Sequence, residues 1–390
     1  MRKPWSSAAC IIVLLLAWIP GVWADSKLSL AGPENNILDP NQENMGFPSF
    51  LDKDKTLTEP FRFNENLTQE ENGFWAMKMG DLTAAKEAFQ KSLEENPQNV
   101  PVLLALVRIA VHQREPTQIE KYLKQAMEIE PDNGDILQAF GHFLRSQSQL
   151  PEAKQAFTKA AQQNPSDPRP LYHLGQLHIQ TKHYTKAQQA FQSALKVDKG
   201  LVVGYLGLGD SLVFQGRDQE ALTVYTAALS LHSKLPLAYI KIGQIHERQG
   251  QMDQAEEAYR TAIEVDSNQV IALNNVAWLL AEKKENLDEA LSWAKKGVSL
   301  SPKTATLHDT LGWVYRARGE LDKAQASFME GTTLPPLDAT LMYHLGIVLT
   351  EQGHPSKAAV AFKNALNLAP NFPHAQDAES RLNQLGNLSK

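Results

Sequence analysis

Thiols are almost absent from this 390-residue chain, which has one cysteine, Cys10. A single thiol closes no internal disulfide and supplies no cysteine pair for a structural zinc or a redox centre. Other signatures are missing too. No GxxxxGK[ST] loop is present to cradle a nucleotide phosphate, and His246-Glu247 lacks the second histidine that a zinc-protease helix needs. Net charge is −6 and is spread along the chain, so no polybasic footprint marks a nucleic acid or an anionic membrane as partner. The apolar run from Cys10 to Trp18 is short for a membrane span, and no longer one follows. A hydrophobic content of 43% with 21% charged residues is nonetheless ordinary for a folded protein.

The chain begins like an export signal. Arg2 and Lys3 give a positive start, Pro20-Gly21 breaks the apolar run, and Val22-Trp23-Ala24 offers small residues before Asp25. Residues 1–24 are therefore expected to be a signal peptide, and cleavage would remove Cys10. Residues 25–65 have no helical period and are punctuated by Pro33, Pro40, Pro48 and Pro60, which predicts a flexible spacer. Phe47, Phe50, Leu51, Phe61 and Phe63 within it are expected to cap the first folded element rather than to form a partner motif.

From residue 66 a period takes over. Gly141, Gly175, Gly209 and Gly243 are 34 residues apart, as are Gly312 and Gly346. Alanines at 85, 153, 187, 221, 255, 290, 324 and 358 form a second ladder, and Phe89, Phe157, Phe191, Tyr225, Tyr259, Phe328 and Phe362 a third. Within one unit, Tyr239, Ile242, Gly243 and His246 fall on one helix face. Gln249-Gly250-Gln251 interrupts, and Ala255, Tyr259, Ala262 and Ile263 resume the pattern behind a possible capping pair, Asp253 and Glu256. Each unit is a helical hairpin whose small residues let two backbones approach while the aromatic fills the gap.

These ladders resemble the tetratricopeptide repeat family, whose unit is a 34-residue helical hairpin. The resemblance covers nine units over residues 66–372, followed by a C-terminal capping helix and tail at 373–390. The second unit departs from the pattern, with Val107 for glycine and Ile119 for alanine. The seventh has Ala277 for glycine and one extra residue near Lys284-Glu285-Asn286. The fold implied is all-α, a right-handed superhelical solenoid, and the function implied is protein binding without catalysis or cofactor.

Candidate chemistry in the sequence yields to this periodicity. Gly209-Asp210-Ser211-Leu212 spells a serine-esterase motif, but Gly209 is a rung of the glycine ladder, so Ser211 belongs inside a helix. His173, His178 and His183, spaced by fives, point in different directions on a helix and cannot share a metal; His178 is expected in the core.

In the resembled family the first helices of successive hairpins line a concave groove. On the matching positions here the groove would present Arg108, His112, His142, Arg145, Arg169 and Tyr172, with Asp135 the main opposing charge, which suits an acidic or carboxylate-bearing segment. Further along it would present Trp278, Trp313, Arg316 and Tyr343, types that dominate binding hot spots, with Ile240, Asn274, Asp309 and Ile347 beside them. The alternative for Trp278 and Trp313 is packing between helices. The lysine–asparagine pair that holds chaperone tails in some members is absent. The phrasing Asn274-Asn275-Val276-Ala277-Trp278 and Asp309-Thr310-Leu311-Gly312-Trp313 is similar to repeats of exported bacterial envelope and exopolysaccharide-assembly proteins. The resemblance implies a periplasmic adaptor for polysaccharide export, pilus or outer-membrane assembly, or alternatively a self-associating scaffold.

Overall fold

The computed structural model describes residues 64 and 67–388, with side chains as far as Leu385. The expected signal peptide and the spacer with its phenylalanines, apart from Asn64, lie outside the described residues. All regular structure among them is α-helical. The helices are α1 (Gln69–Lys78), α2 (Leu82–Glu95), α3 (Val100–His112), α4 (Pro116–Ile129), α5 (Gly134–Ser146), α6 (Leu150–Gln163), α7 (Arg169–Gln180), α8 (Tyr184–Val197), α9 (Val202–Val213) and α10 (Asp218–Leu231). They continue with α11 (Pro236–Arg248), α12 (Met252–Val265), α13 (Val270–Lys283), α14 (Leu287–Leu300), α15 (Ala305–Ala317), α16 (Leu321–Thr332), α17 (Ala339–Glu351), α18 (Pro355–Leu368) and α19 (Ala375–Leu388). The chain divides into two compact units, one ending at Arg217 and one starting at Asp218.

In the N-terminal unit α1–α2, α3–α4, α5–α6 and α7–α8 pack as antiparallel hairpins, with α9 on α8. The C-terminal unit repeats the arrangement with α11–α12, α13–α14, α15–α16 and α17–α18, and α19 closes against α18. Starts are marked by local chemistry. Thr68 and Glu71 form a reciprocal capping box on α1, and Asp81, Asn99, Asn133 and Asp338 accept from backbone N–H groups of their first turns. Asn72, fully buried, donates to the carbonyls of Asn64, Leu67 and Thr68 and accepts from the Asn64 N–H, which seats the incoming chain on α1. Asp253 and Glu256 do not form a capping pair on α12. Its N-cap is Gln251, which puts Asp253 at the second helical position and Glu256 at the fifth, so they are not the N-cap and third residues that a reciprocal box needs. They hold Lys283 of α13 instead, at 2.7 and 2.8 Å.

The glycine and aromatic ladders are two halves of one contact. A Cβ placed on Gly73, Gly141, Gly175, Gly243, Gly312 or Gly346 would stand 2.4–2.7 Å from the ring sixteen residues on, which is Phe89, Phe157, Phe191, Tyr259, Phe328 or Phe362. Those rings are almost completely buried, so nothing but hydrogen fits opposite them. One departure keeps the sum: Val107 and Leu123 share one core cluster in the second hairpin, a larger residue facing a smaller one. The seventh does not, since Ala277 and Ala294, which share another cluster, are both small.

A further ladder occupies the tips. Residues 80, 114, 148, 182, 216, 250, 284, 319 and 353 all have left-handed backbone. Five are glycine, but Arg114, Ser148, Lys182 and Lys284 adopt the same conformation at φ of 56–60°. The extra residue of the seventh hairpin adds a second left-handed position, Asn286 at φ 45°, so that the longer tip still returns the chain.

Candidate functional site

Alternate helices α3, α5 and α7 carry the basic row of the N-terminal unit. His112 is exposed, and Arg108 is half-buried, its guanidinium pKa lowered by burial. Arg145 is buried and donates from Nη1 to Gln176 Oε1 at 3.1 Å. Gln176 in turn donates to the hydroxyl of Tyr172 at 2.8 Å, and Tyr172 is itself buried. His142 and His173 lie deeper still, 2% and 6% exposed, with their Nε2 atoms 3.1 Å apart. Asp135 is already engaged: Arg169 binds it at 3.0 Å while gripping Asp167 through Nε and Nη2 at 2.6–3.0 Å. Burial pulls the Arg169 pKa down, but the bonds to Asp167 and Asp135 outweigh it and the net shift is upward.

The row of the C-terminal unit is aromatic and acidic. Trp278 on α13 is half-buried against the α12–α14 core. Trp313 on α15 is half-exposed and donates from Nε1 to Glu282 at 2.6 Å, and the Arg316 guanidinium stacks over its ring at 4.5 Å. Arg316 forks onto Glu351 of α17 through Nε and Nη2 at 2.5–3.1 Å. One chain of contacts, Glu282–Trp313–Arg316–Glu351, thus links α13, α15 and α17 along a solvent-facing edge. Beneath it Asp309 meets His344 Nδ1 at 2.7 Å, and Asp338 has its pKa raised by burial and then by Asp309.

The positions expected to face a ligand therefore differ in depth. Trp278, Trp313, Arg316, Arg108 and Arg169 retain partial exposure, whereas Arg145, Tyr172 and Tyr343 are covered. Ile240, Asn274 and Ile347 are buried as well. Several participants were not singled out from sequence. Glu282 and Glu351 stand four residues after Trp278 and Ile347, on the same helix face, and that spacing was the available signal. In the expected C-terminal capping helix, Asp377 accepts from Tyr343 and is bound by Arg381 at 2.5 Å, and neither residue is marked by the repeat period.

The other chemical candidates have structural places. Ser211 is fully buried inside α9 and donates to the Leu208 carbonyl at 2.7 Å. His178 is half-exposed rather than in the core, its pKa lowered to about 4 by partial burial and then by Lys154, His183 and Lys186. Core positions belong instead to His142, His173, His308 and His344. No group of three or more His, Cys, Asp or Glu among the described residues is arranged to hold a metal ion.

Profiles of the tetratricopeptide repeat match residues 76–139, 144–201, 206–264, 240–304 and 310–374, well over half of the chain. The chain belongs to the tetratricopeptide repeat family. Among solved structures, this repeat protein is similar to one titled as the APC/C hetero-tetramer Cut9-Hcn1, with a TM-score of 0.54 at 19% identity. That match covers 78% of this chain and 59% of the other. A second is yeast Tom70, with a TM-score of 0.54 at 18% identity over 80% of this chain and 69% of that one. At these identities the likeness is one of fold. No curated protein matches by sequence. No helix among the described residues is long and apolar enough to cross a membrane.

Proposed function

We propose that this tetratricopeptide repeat protein is an exported, non-enzymatic adaptor. It takes an extended or helical segment of a cell-envelope protein and so helps assemble an envelope complex, for polysaccharide export, a pilus or the outer membrane. The observation that carries the binding site is the edge formed by Trp313, with Arg316 on its ring and Glu282 and Glu351 at either end. A half-exposed indole held rigid by two polar contacts loses little freedom on binding, and flanking charges of both signs give orientation. In the N-terminal unit the partly exposed Arg108 supplies positive potential that suits an acidic stretch of the same partner, while the charge of Arg169 is met by Asp167 and Asp135. The export signal expected at residues 1–24 and the phrasing of the seventh and eighth units support a periplasmic location.

Affinity capture from envelope extract, comparing the wild-type chain with Trp313→Ala/Arg316→Ala, tests this reading. A partner lost in the variant by roughly 30-fold or more in Kd, with unchanged melting, supports it. Equal capture removes the edge as the site, and recovery of the chain alone, with mass rising with concentration, favours a self-associating scaffold. Sequencing the N-terminus of the protein from a periplasmic fraction checks cleavage before Asp25.

A further inference from the structure

The two buried imidazoles of the N-terminal unit are set by their neighbours into one protonation pattern. Gln176 Oε1 is an acceptor, since Arg145 donates to it, so the His173 Nδ1 that lies 3.2 Å from it carries a hydrogen. A neutral His173 then has a bare Nε2. Its contact at 3.1 Å with His142 Nε2 is a hydrogen bond only if His142 donates, which leaves His142 Nδ1 as the last bare nitrogen. That atom is buried and meets no protein hydrogen-bond partner. The series Arg145–Gln176–His173–His142 is thus a relay in which every proton has one place.

A second proton has none. On His173 Nε2 it would set one N–H against another at 3.1 Å. On His142 Nδ1 it would create a buried cationic donor with no protein acceptor. The charged groups acting on the pair are both cations, Arg145 on α5 and Arg169 at the start of α7, while Asp135 and Asp167 are engaged with Arg169. From α6 the pair meets the apolar ring of Phe157, at centroid distances of 5.1 and 5.3 Å, and Tyr172 lies beside His173 on its own helix. Burial first, and these charges after it, keep both imidazoles neutral, with His173 lowered to about 3.

We propose that the His142–His173 pair is an acid-release latch between hairpin α5–α6 and hairpin α7–α8, taking up a second proton only when the two hairpins part. The pair joins α5 to α7 directly, so its protonation separates neighbouring repeats locally and frees Arg145 and Tyr172 from the contacts that bury them. The device stands whatever the partner of this face is.

Hydrogen exchange on the full chain at pH 7 and pH 5, corrected for intrinsic rates, tests it. A histidine that titrates only in the open form raises the opening constant about 30-fold at pH 5. Amides of α5 and α7 are expected to lose protection by at least that factor, while those of α13, which has no histidine, do not. The double variant His142→Gln/His173→Asn uses residues that equivalent places already carry, Gln176 and Asn275, and is expected to abolish the difference. Loss of protection no larger in α5 and α7 than in α13 overturns the proposal, as does undiminished acid sensitivity in the double variant. If that variant is unfolded at pH 7, imidazole ¹⁵N shifts of the wild type decide: protonation of both rings with α5 still protected rejects the latch, and opening concurrent with protonation upholds it.

Discussion

The phenol of Tyr343 on α17 donates to Asp377 Oδ2 on α19 at 2.6 Å, and its ring lies parallel to that of His374 at 4.8 Å. Tyr343 is 4% exposed, so this contact keys the last helix onto the first-helix row rather than offering a ring to a ligand. Removing the hydroxyl with Tyr343→Phe leaves Asp377 to Arg381 alone and is expected to cost about 1–2 kcal/mol, since hydrogen bonds to charged groups exceed neutral ones but Asp377 is partly solvated. Tyr343→Ala adds a cavity and should cost about 3–5 kcal/mol. Urea denaturation measures both, and exchange should show α19 loosening first. Trp313→Ala, at a half-exposed site, should stay within about 1 kcal/mol of wild type.

The same contact sets a response to alkali. Burial, and after it the bond to and charge of Asp377, push the Tyr343 phenol up to about 12. An unfolded tyrosine ionises near 10, so between about 10 and 12 the folded chain retains a proton that the unfolded chain has released. Stability from this group is complete below pH 10 and is lost as pH rises through 12. Denaturation midpoints at pH 9 and pH 11 should differ less in Tyr343→Phe than in wild type, and absorbance titration near 295 nm should show one late-ionising tyrosine.

Glycine and aromatic rungs behave as a pair. A Cβ on Gly312 would lie 2.7 Å from the Phe328 ring, so Gly312→Val is expected to destabilise by about 1–3 kcal/mol through overpacking. Phe328→Leu alone should cost a similar amount through an unfilled cavity. The double variant reproduces the Val107 and Leu123 of the second hairpin and should recover at least about 1 kcal/mol relative to the sum. Thermal melts of the four proteins complete the cycle, and strict additivity would mean that the two rungs do not compensate.

That pairing explains what could be read from the chain without a structure. A contact between residues a fixed sixteen apart leaves both partners in one repeating register, so the glycine, alanine and aromatic ladders locate the hairpins. Depth along the first-helix row is different in kind. Position on a helix gives the direction of a side chain, but whether it is covered depends on what the next hairpin places over it. Arg145 and Trp313 were both assigned to the ligand face. Arg145 is closed over in the company of Gln176 of α7, whereas Trp313 keeps an open edge between Glu282 and Glu351. Asp377 arrives from outside the repeats, so no period pointed to it. The tip ladder was half legible, because glycine announces a left-handed position and Arg114, Ser148 and Lys182 do not.

Those silent tip positions supply the most direct test of the repeat geometry. Lys182 holds φ 58°, where an L side chain crowds its own backbone at roughly 1–2 kcal/mol, and its counterpart two units on is Gly250 at φ 76°. A Cβ on Gly250 would meet nothing within 4 Å, so a substitution there reports backbone strain and no steric clash. Lys182→Gly is expected to raise stability by about 0.5–1 kcal/mol, the strain relieved less the extra entropy of an unfolded glycine. Gly250→Ala is expected to lower it by about 1 kcal/mol. Both shifts read as opposite displacements of the denaturation midpoint with unchanged m-value. If Lys182→Gly were destabilising, the lysine side chain would have to contribute more at the tip than the left-handed backbone costs, and the interchange of Gly and non-Gly residues along this ladder would reflect side-chain contacts rather than tolerance of strain.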